Sequence, residues 1–193
     1  MKKRKVFGCI LACAGAALLF GSLGLNLYQH HTAEEMIESF YEQTESQSEM
    51  TSDTQEDTKE EESDVLCVLR IPKIDSTNPV VEGTSSSSLS AALGHETSTA
   101  YPGEVGNCVI AGHRNYTFGK FFNRLDEIEI GDLLYIDVED DTYTYEVTEV
   151  KVVEPTEVEI LESDGETEQL TLYTCTPIYV ATHRLVIVAE RVE

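Results

Sequence analysis

The segment EQLTLYTCTPIYVATHRLVIVAER, residues 168–191, decides the fold. It contains two runs rich in aliphatic and β-branched residues, EQLTLYTC and RLVIVAER, and such runs favour β-strands. Pro177 ends the first run because proline cannot donate a hydrogen bond to a neighbouring strand. The loop between the runs has about eight residues, so we expect the strands to pair as antiparallel neighbours. Cys175 and Arg184 would then lie at the same end of the sheet, on either side of the loop.

A cysteine beside an arginine suits nucleophilic chemistry. A nearby positive charge favours the thiolate, and a guanidinium can stabilise an oxyanion formed on an attacked carbonyl. Of the later histidines, His95 follows a predicted helix end and His183 would point away from Arg184, whereas His113 follows the apolar run NCVIAG. The end of a buried strand is a common place for a functional residue. We therefore expect His113 to be the proton-transfer group. The residues alone also fit a core cysteine that lies near an unrelated arginine.

The chain from residue 65 onward has the pattern of a mainly β domain. Short apolar runs occur at 65–71, 78–83 and 107–113, and alternation along 132–155 predicts a hairpin that turns near residues 140–141. With the two strands of the opening segment, the count reaches about seven or eight strands. The absence of a repeating strand–helix–strand rhythm favours a closed barrel or a sandwich.

Two short helices are expected within this domain. SSSSLSAALGH offers serine caps and a small-residue run that ends at Gly94. FGKFFNRLDEI places Phe118, Phe121, Phe122 and Leu125 on one helical face.

The composition excludes some functions. The chain has 193 residues, 36 of them acidic and 13 basic, with a formal net charge of −23. Nucleic acid is an improbable partner because binding phosphates requires clustered lysines and arginines. The length allows one domain with appendages.

The N-terminal region predicts a membrane anchor. Four basic residues at 2–5 precede the segment 6–28, which has no charged residue and is long enough to cross a bilayer as a helix. The basic cluster predicts that the N-terminus, residues 1–5, lies in the cytoplasm and that the rest of the chain lies on the extracellular face. A cleaved signal peptide, or a lipid-modified Cys13, is the alternative.

Residues 29–64 are acidic and poor in apolar side chains. Such a segment cannot bury enough surface to offset the entropy lost on ordering, so we expect an extended extracellular tether before the catalytic domain at 65–193. Within it, Met36, Ile37, Phe40 and Tyr41 recur at helical spacing. This pattern fits a short helix or transient helical structure in the tether equally well.

The remaining cysteines of the domain are expected to be structural. Cys67 and Cys108 lie in apolar runs, which favours buried thiols over a disulfide or a metal pair. No Cys-x-x-Cys motif or paired histidine spacing occurs in the sequence, so no metal site or other cofactor is expected.

The sequence resembles the sortases, the membrane-anchored cysteine transpeptidases of Gram-positive cell surfaces. The likeness rests on TLYTC followed nine positions later by Arg184, on AGHR around His113, and on further segments between residues 69 and 191. The resemblance implies a closed, eight-stranded sortase-type β-barrel. It also implies that His113 is the acid and base, Cys175 the nucleophile, and Arg184 the residue that positions the substrate or stabilises the oxyanion.

The resemblance also implies a reaction. Sortases cleave an LPXTG-like sorting signal between Thr and Gly through a thioester, and transfer the acyl group to an amine. The implied partners are surface proteins or pilins with a sorting signal, and an amine from a pilin lysine or a lipid-linked peptidoglycan precursor. No cofactor is implied.

TCTP and the Cys-to-Arg spacing are most similar to the pilin-polymerising class C enzymes. Neither an Asp-Pro-aromatic lid tripeptide nor a C-terminal membrane helix is found in the sequence, so pilus assembly and cell-wall anchoring both remain open. The alternatives from other classes are an exported cysteine hydrolase or protease, and an anchored β-domain that only binds.

Overall fold

A computed structural model describes residues 31–44, 65–114 and 121–192, together with scattered positions between 13 and 24. Within these residues, eight strands close into a barrel in the order β1-β2-β3-β4-β7-β8-β6-β5. The expected mainly β, eight-stranded barrel is thereby confirmed. The strands are β1 (Val65–Ile71), β2 (Ser76–Glu82), β3 (Leu93–His95), β4 (Gly106–Ala111), β5 (Leu133–Val138), β6 (Asp141–Val153), β7 (Glu168–Thr176) and β8 (His183–Arg191).

Alternating side chains fill the barrel interior, as the period of a β-strand requires. On β7, Leu170 and Leu172 are fully buried in the core, and on β8 Leu185 and Ile187 join the same cluster. The residues between them on each strand face outward. The core also includes Leu69, Ile71, Ile110, Phe122, Leu134, Ile136 and Tyr145.

The pairing of β4 with β7 decides which strand ends meet at one edge of the barrel. These strands are parallel, with Cys108 opposite Leu170 and Ala111 opposite Tyr173. β8 runs antiparallel to β7. The C-terminal ends of β4 and β7 and the N-terminal end of β8 therefore meet at one edge.

The connections differ in detail from expectation. The hairpin is confirmed, with β5 ending at Val138 and β6 beginning at Asp141. A four-residue helix, Ser88–Ala91, forms in the serine-rich segment, and 3₁₀ helices occupy Pro72–Ile74, Leu125–Glu127 and Val158–Leu161.

The helix expected in FGKFFNRLDEI is wrong for the residues described. Phe121 has a φ of 48°, which a right-handed helix cannot contain, and only Leu125–Glu127 is helical there. The apolar face nevertheless identified core residues, because Phe121, Phe122 and Leu125 are all buried. Phe118 lies outside the described residues.

Residues 31–44 form a helix, which we call α1, that packs against the barrel. Phe40 is buried against Val65 and Val68 of β1, and Met36 and Ile37 pack against the same cluster. Residues 31–44 therefore form the short helix that was one of the two alternatives for this part of the predicted tether, because their apolar side chains cover a surface of β1. Residues 45–64 lie outside the described part of the chain.

Asp137 of β5 joins α1 to the barrel through hydrogen bonds. Its carboxylate accepts from Arg70 Nε at 2.6 Å and Nη2 at 2.8 Å, from Tyr41 Oη at 2.6 Å and from Thr142 Oγ1 at 2.8 Å. Burial alone would raise the pKa of Asp137, but the bonds from Arg70, Tyr41 and Thr142 outweigh it and lower that pKa. Burial and the bond to Asp137 raise the pKa of Tyr41 to about 12.

Cys67 and Cys108 are buried free thiols inside the barrel. Burial raises the pKa of Cys67 well above its usual value and that of Cys108 to about 12, since a thiolate is poorly solvated there. Both thiols therefore act as small apolar side chains.

Most of the predicted anchor, residues 6–28, lies outside the described residues, although the described positions between 13 and 24 are helical. Within the part of the chain that the structure describes, no helix has the length and apolar character needed to span a membrane.

Candidate active site

Cys175 and Arg184 face each other across two neighbouring strands. They are Cα partners in the antiparallel ladder of β7 and β8, so their side chains leave the sheet on the same side. Both are half-buried, and Arg184 Nη1 donates to the carbonyl of His183 at 3.1 Å. The neighbouring positions expected from the sequence are confirmed.

His113 reaches the same edge from β4. Because Ala111 pairs with Tyr173 in the parallel ladder, two further residues along each strand bring His113 level with Cys175. Gly112 continues the contact, as its N–H donates to the Tyr173 carbonyl at 3.2 Å and its carbonyl accepts from Thr174 Oγ1 at 2.7 Å. The exposed His113 thus lies in the turn directly after the strand that neighbours β7, level with Cys175.

The packing at Gly112 explains why a residue with no side chain precedes His113. A Cβ atom there would lie 2.5 Å from Phe122 and 2.6 Å from Leu93, too close for real contacts. The close approach lets the turn after β4 lie directly over the barrel core.

An apolar surface lies beside this edge on the outer face of the barrel. It consists of Val153, Val186 and Val188, with Tyr173 and Ile160 packed against them, and we call it the outer apolar patch. Since Tyr173 and Cys175 are two residues apart on β7, they share this outer face. Its three valines are buried, so the patch packs against the outside of β7 and β8 next to the thiol.

Tyr173 also carries a polar contact near the thiol. Its hydroxyl donates to Glu96 Oε1 at 2.5 Å, across the end of β3. Burial, followed by the bond and charge of Glu96, raises the pKa of Tyr173 well above its usual range. Tyr173 therefore stays neutral and provides a wall of fixed orientation next to Cys175.

The other two histidines are held elsewhere. His95 is fully buried, with Nδ1 3.1 Å from Glu82 Oε2 and Nε2 3.0 Å from the Ala100 carbonyl. His183 is partly exposed, and its Nε2 lies 3.2 Å from Glu154 Oε1. His183 is the Cα partner of Thr176, one position off the Cys175–Arg184 pair, so alternation turns it to the other face.

Sequence reasoning did not identify Arg114, which sits just below this edge. Its side chain is only 8% exposed, and its guanidinium donates a hydrogen bond to Thr176, the residue after Cys175. The signal in the sequence was an arginine directly after the candidate histidine, but nothing local shows that its side chain reaches β7. Within the described residues, no group of three His, Cys, Asp or Glu side chains could hold a metal ion.

A closed β-barrel that places a cysteine, a histidine and an arginine at one edge defines a class of cysteine transpeptidases. The family model of the sortase domain matches residues 69–192. The chain belongs to the sortase family.

Several known proteins are similar to this chain. Sortase D of Bacillus subtilis is 38% identical over 128 residues, which are 65% of this chain and 63% of that protein. The solved sortase A of Corynebacterium diphtheriae is 37% identical, with a TM-score of 0.64 and coverage of 67% and 61%. The sortase D5 transpeptidase of Clostridium perfringens is 28% identical, with a TM-score of 0.66 and coverage of 86% and 98%. The chain thus spans less than two thirds of the first two proteins.

Proposed function

We propose that this protein is a sortase-type cysteine transpeptidase that cleaves an LPXTG-like sorting signal and transfers the acyl fragment to an amine. The observation that carries the proposal is the position of Cys175 opposite Arg184, with His113 level with Cys175 in the turn that follows the parallel neighbour β4. A nucleophile, a cationic group and a proton-transfer group thereby meet on one solvent-accessible edge.

In the first half-reaction, the Cys175 thiolate attacks the carbonyl carbon of the Thr in the signal. The carbonyl oxygen becomes an oxyanion, which Arg184 stabilises with N–H donors. When the C–N bond to Gly breaks, His113 donates a proton to the leaving amine. The products are a Cys175 thioester and a peptide that begins with Gly.

In the second half-reaction, an amine attacks the thioester carbonyl and forms a second oxyanion at the same place. His113, now neutral, takes the proton that the amine loses. The C–S bond breaks, a new amide forms, and the Cys175 thiolate is regenerated. No electron transfer or further reactant is required.

A peptide substrate would bind at the edge that carries Cys175. In this proposal its scissile carbonyl lies at Cys175, next to the half-buried ring of Tyr173 on the same face of β7. The partners in this proposal are surface proteins or pilins that carry such a signal.

The acceptor amine in this proposal comes from a pilin lysine or a lipid-linked peptidoglycan precursor, giving pilus assembly or cell-wall anchoring. We further propose that residues 6–28 anchor the chain in the cell membrane, with residues 1–5 in the cytoplasm and the catalytic domain, residues 65–193, on the extracellular face. The uncharged length of residues 6–28 and the basic cluster before it support this topology. Anchoring would keep the site where both lipid-linked acceptor and membrane-held substrate arrive.

The test combines a labelled LPXTG peptide with the protein, with and without added amines, and identifies the products by mass spectrometry. We expect an acyl-enzyme on Cys175 and a ligated product when diaminopimelate or a lysine peptide is present. Cys175→Ala is the matched control and should give neither. Hydrolysis alone despite saturating amine would indicate a hydrolase, and no cleavage with an unreactive Cys175 would indicate a binding domain.

A further inference from the structure

Arg114 is the buried arginine that lies next to the candidate catalytic histidine. Its side chain is 8% exposed, although arginines are mostly exposed in folded proteins. Nη1 donates to Thr176 Oγ1 at 2.8 Å, Nη2 lies 2.7 Å from Asp126 Oδ1, and Nε lies 3.5 Å from the Asn123 carbonyl. Both ends of the guanidinium are therefore engaged, which restricts its orientation.

The partners of Arg114 connect the two strands that carry the reacting groups. Arg114 directly follows His113, and Thr176 directly follows Cys175. The hydrogen bond between them spans 62 positions of sequence and links the end of β7 to the turn after β4. It extends the Gly112 contacts with Tyr173 and Thr174 by one more step along the same two strands.

The turn that carries His113 is also fixed from its other side. The Phe122 N–H donates to the His113 carbonyl at 3.3 Å. Asp126, which pairs with Arg114, lies four residues after Phe122. The segment 122–126 thus holds the backbone of His113 and the side chain of Arg114 together. With Thr176 as the third point, the turn is held against β7 as well as against this segment.

The hydrogen bond between Arg114 and Thr176 does not cover the face of β7 on which a substrate would reach Cys175. Because side chains alternate along a strand, Thr176 leaves β7 on the opposite face from Cys175. Asp126 partly offsets the charge of Arg114 by its ion pair at 2.7 Å. The contact between Arg114 and Thr176 therefore affects the site mainly through its geometry and less through the charge of Arg114.

We propose that Arg114 is a positioning residue that, through Thr176, sets the distance and orientation between His113 and Cys175. The inference rests on the proposed transpeptidase function. Proton transfer requires the acid to reach the leaving amine at hydrogen-bond distance, and displacement by about 1 Å can cost about 10²-fold in rate. Because Thr176 leaves β7 on the opposite face from Cys175, loss of the link should lower kcat while substrate binding, and with it KM, stays nearly constant.

The experiment is a double-mutant cycle with Arg114→Gln, Thr176→Val and the double variant. We expect each single variant to lower kcat for cleavage of a labelled LPXTG peptide by about 10- to 100-fold. The double variant should match the worse single variant, because both substitutions remove the same link. Losses that multiply, or a kcat within twofold of wild type in either single variant, would overturn the inference.

Arg191→Gln is the matched control. Arg191 is a partly buried arginine whose Nη1 lies 2.6 Å from Glu168 Oε2, at the opposite end of β7. Its loss should lower the thermal midpoint but leave kcat unchanged. If Arg191→Gln lowers kcat as much as Arg114→Gln, the effect is general destabilisation and the positioning role is wrong. Thr176→Val removes no charge, so it tests the link even if Arg114→Gln folds poorly.

A measurement without turnover separates this inference from the proposed function. NMR of protein labelled on its histidine rings reports the surroundings of His113 directly. The His113 resonances should shift in Arg114→Gln and in Thr176→Val, and stay unchanged in Arg191→Gln. If wild type cleaves no peptide, the proposed function fails, yet these shifts still show whether the bond between Arg114 and Thr176 orients His113. Unchanged His113 resonances in both variants would overturn the inference whatever the activity.

Discussion

Replacing Arg184 with lysine should impair catalysis although the positive charge is kept. Arg184 stands opposite Cys175 as its Cα partner, and its Nη1 is engaged by the His183 carbonyl at 3.1 Å. In the proposed mechanism that bond restricts the guanidinium plane while another N–H group donates to the oxyanion. Lysine has a single mobile ammonium on a flexible stem, so it cannot satisfy that carbonyl and aim a second fixed donor at the same time.

The size of the effect follows from the loss of one donor to the oxyanion. Such a loss costs about 10²–10³ in kcat, or about 2.7–4 kcal/mol of transition-state stabilisation. Arg184→Ala removes both donor and charge and should be at least as slow as the lysine variant. KM for the peptide should change less than kcat, since the oxyanion exists only during the reaction.

The assay is kcat/KM for a labelled LPXTG peptide in wild type, Arg184→Lys and Arg184→Ala, with Cys175→Ala as blank. The rate of Cys175 alkylation against pH is measured alongside. Near-normal catalysis by the lysine variant would refute the donor-geometry argument and leave only a role for charge. Near-normal catalysis by the alanine variant would refute both roles.

Other predictions concern the barrel and its helix. Asp137→Asn should lower the free energy of unfolding at neutral pH by about 1.5–3 kcal/mol, because it weakens charged hydrogen bonds. The folded-state pKa of Asp137 lies below that of the unfolded chain, so this stability is fully present above pH ~4 and is lost as pH falls toward the folded pKa. Urea unfolding from pH 7 to pH 3 tests it, and a difference between variant and wild type that does not shrink in acid would contradict it. Cys67→Ala should lower the free energy of unfolding by about 1–3 kcal/mol and leave peptide cleavage intact. Cys175→Ala should abolish cleavage with little change in thermal midpoint, and the reverse pattern would exchange the roles of the two cysteines. Phe40→Ala should destabilise the docking of α1 by about 2–4 kcal/mol, seen as faster amide exchange in residues 31–44, with Glu38→Ala as the exposed control. Equal exchange in both variants would show that Phe40 does not hold α1 to the barrel.

Much of the barrel could be predicted because its signals are local. Short runs rich in apolar and β-branched residues identified β1, β4, β7 and β8, and alternation along residues 132–155 identified the hairpin of β5 and β6. The opposition of Cys175 and Arg184 was also within reach, because one short loop joins their strands and antiparallel neighbours are the usual result.

Local signals misled where the surroundings decided the backbone. The apolar spacing around Phe121 predicted a helix, but a turn at 121–124 followed by a short 3₁₀ helix buries Phe121, Phe122 and Leu125 in the core. In α1, Met36, Ile37 and Phe40 were recognised at helical spacing, yet composition favoured an acidic tether. The surface of β1 that covers Phe40 cannot be seen in the sequence of residues 31–44.

By itself, the sequence determined the strand pattern, the Cys175–Arg184 pair and the likeness to the sortases, since each can be recognised from short motifs in their order along the chain. Only the tertiary structure decided that β4 pairs in parallel with β7, which brings His113 level with Cys175. Parallel pairing requires a long connection, and no periodicity within either strand specifies its partner or register. For the same reason, only the closed barrel shows that Arg114 contacts Thr176 and that Tyr173 contacts Glu96.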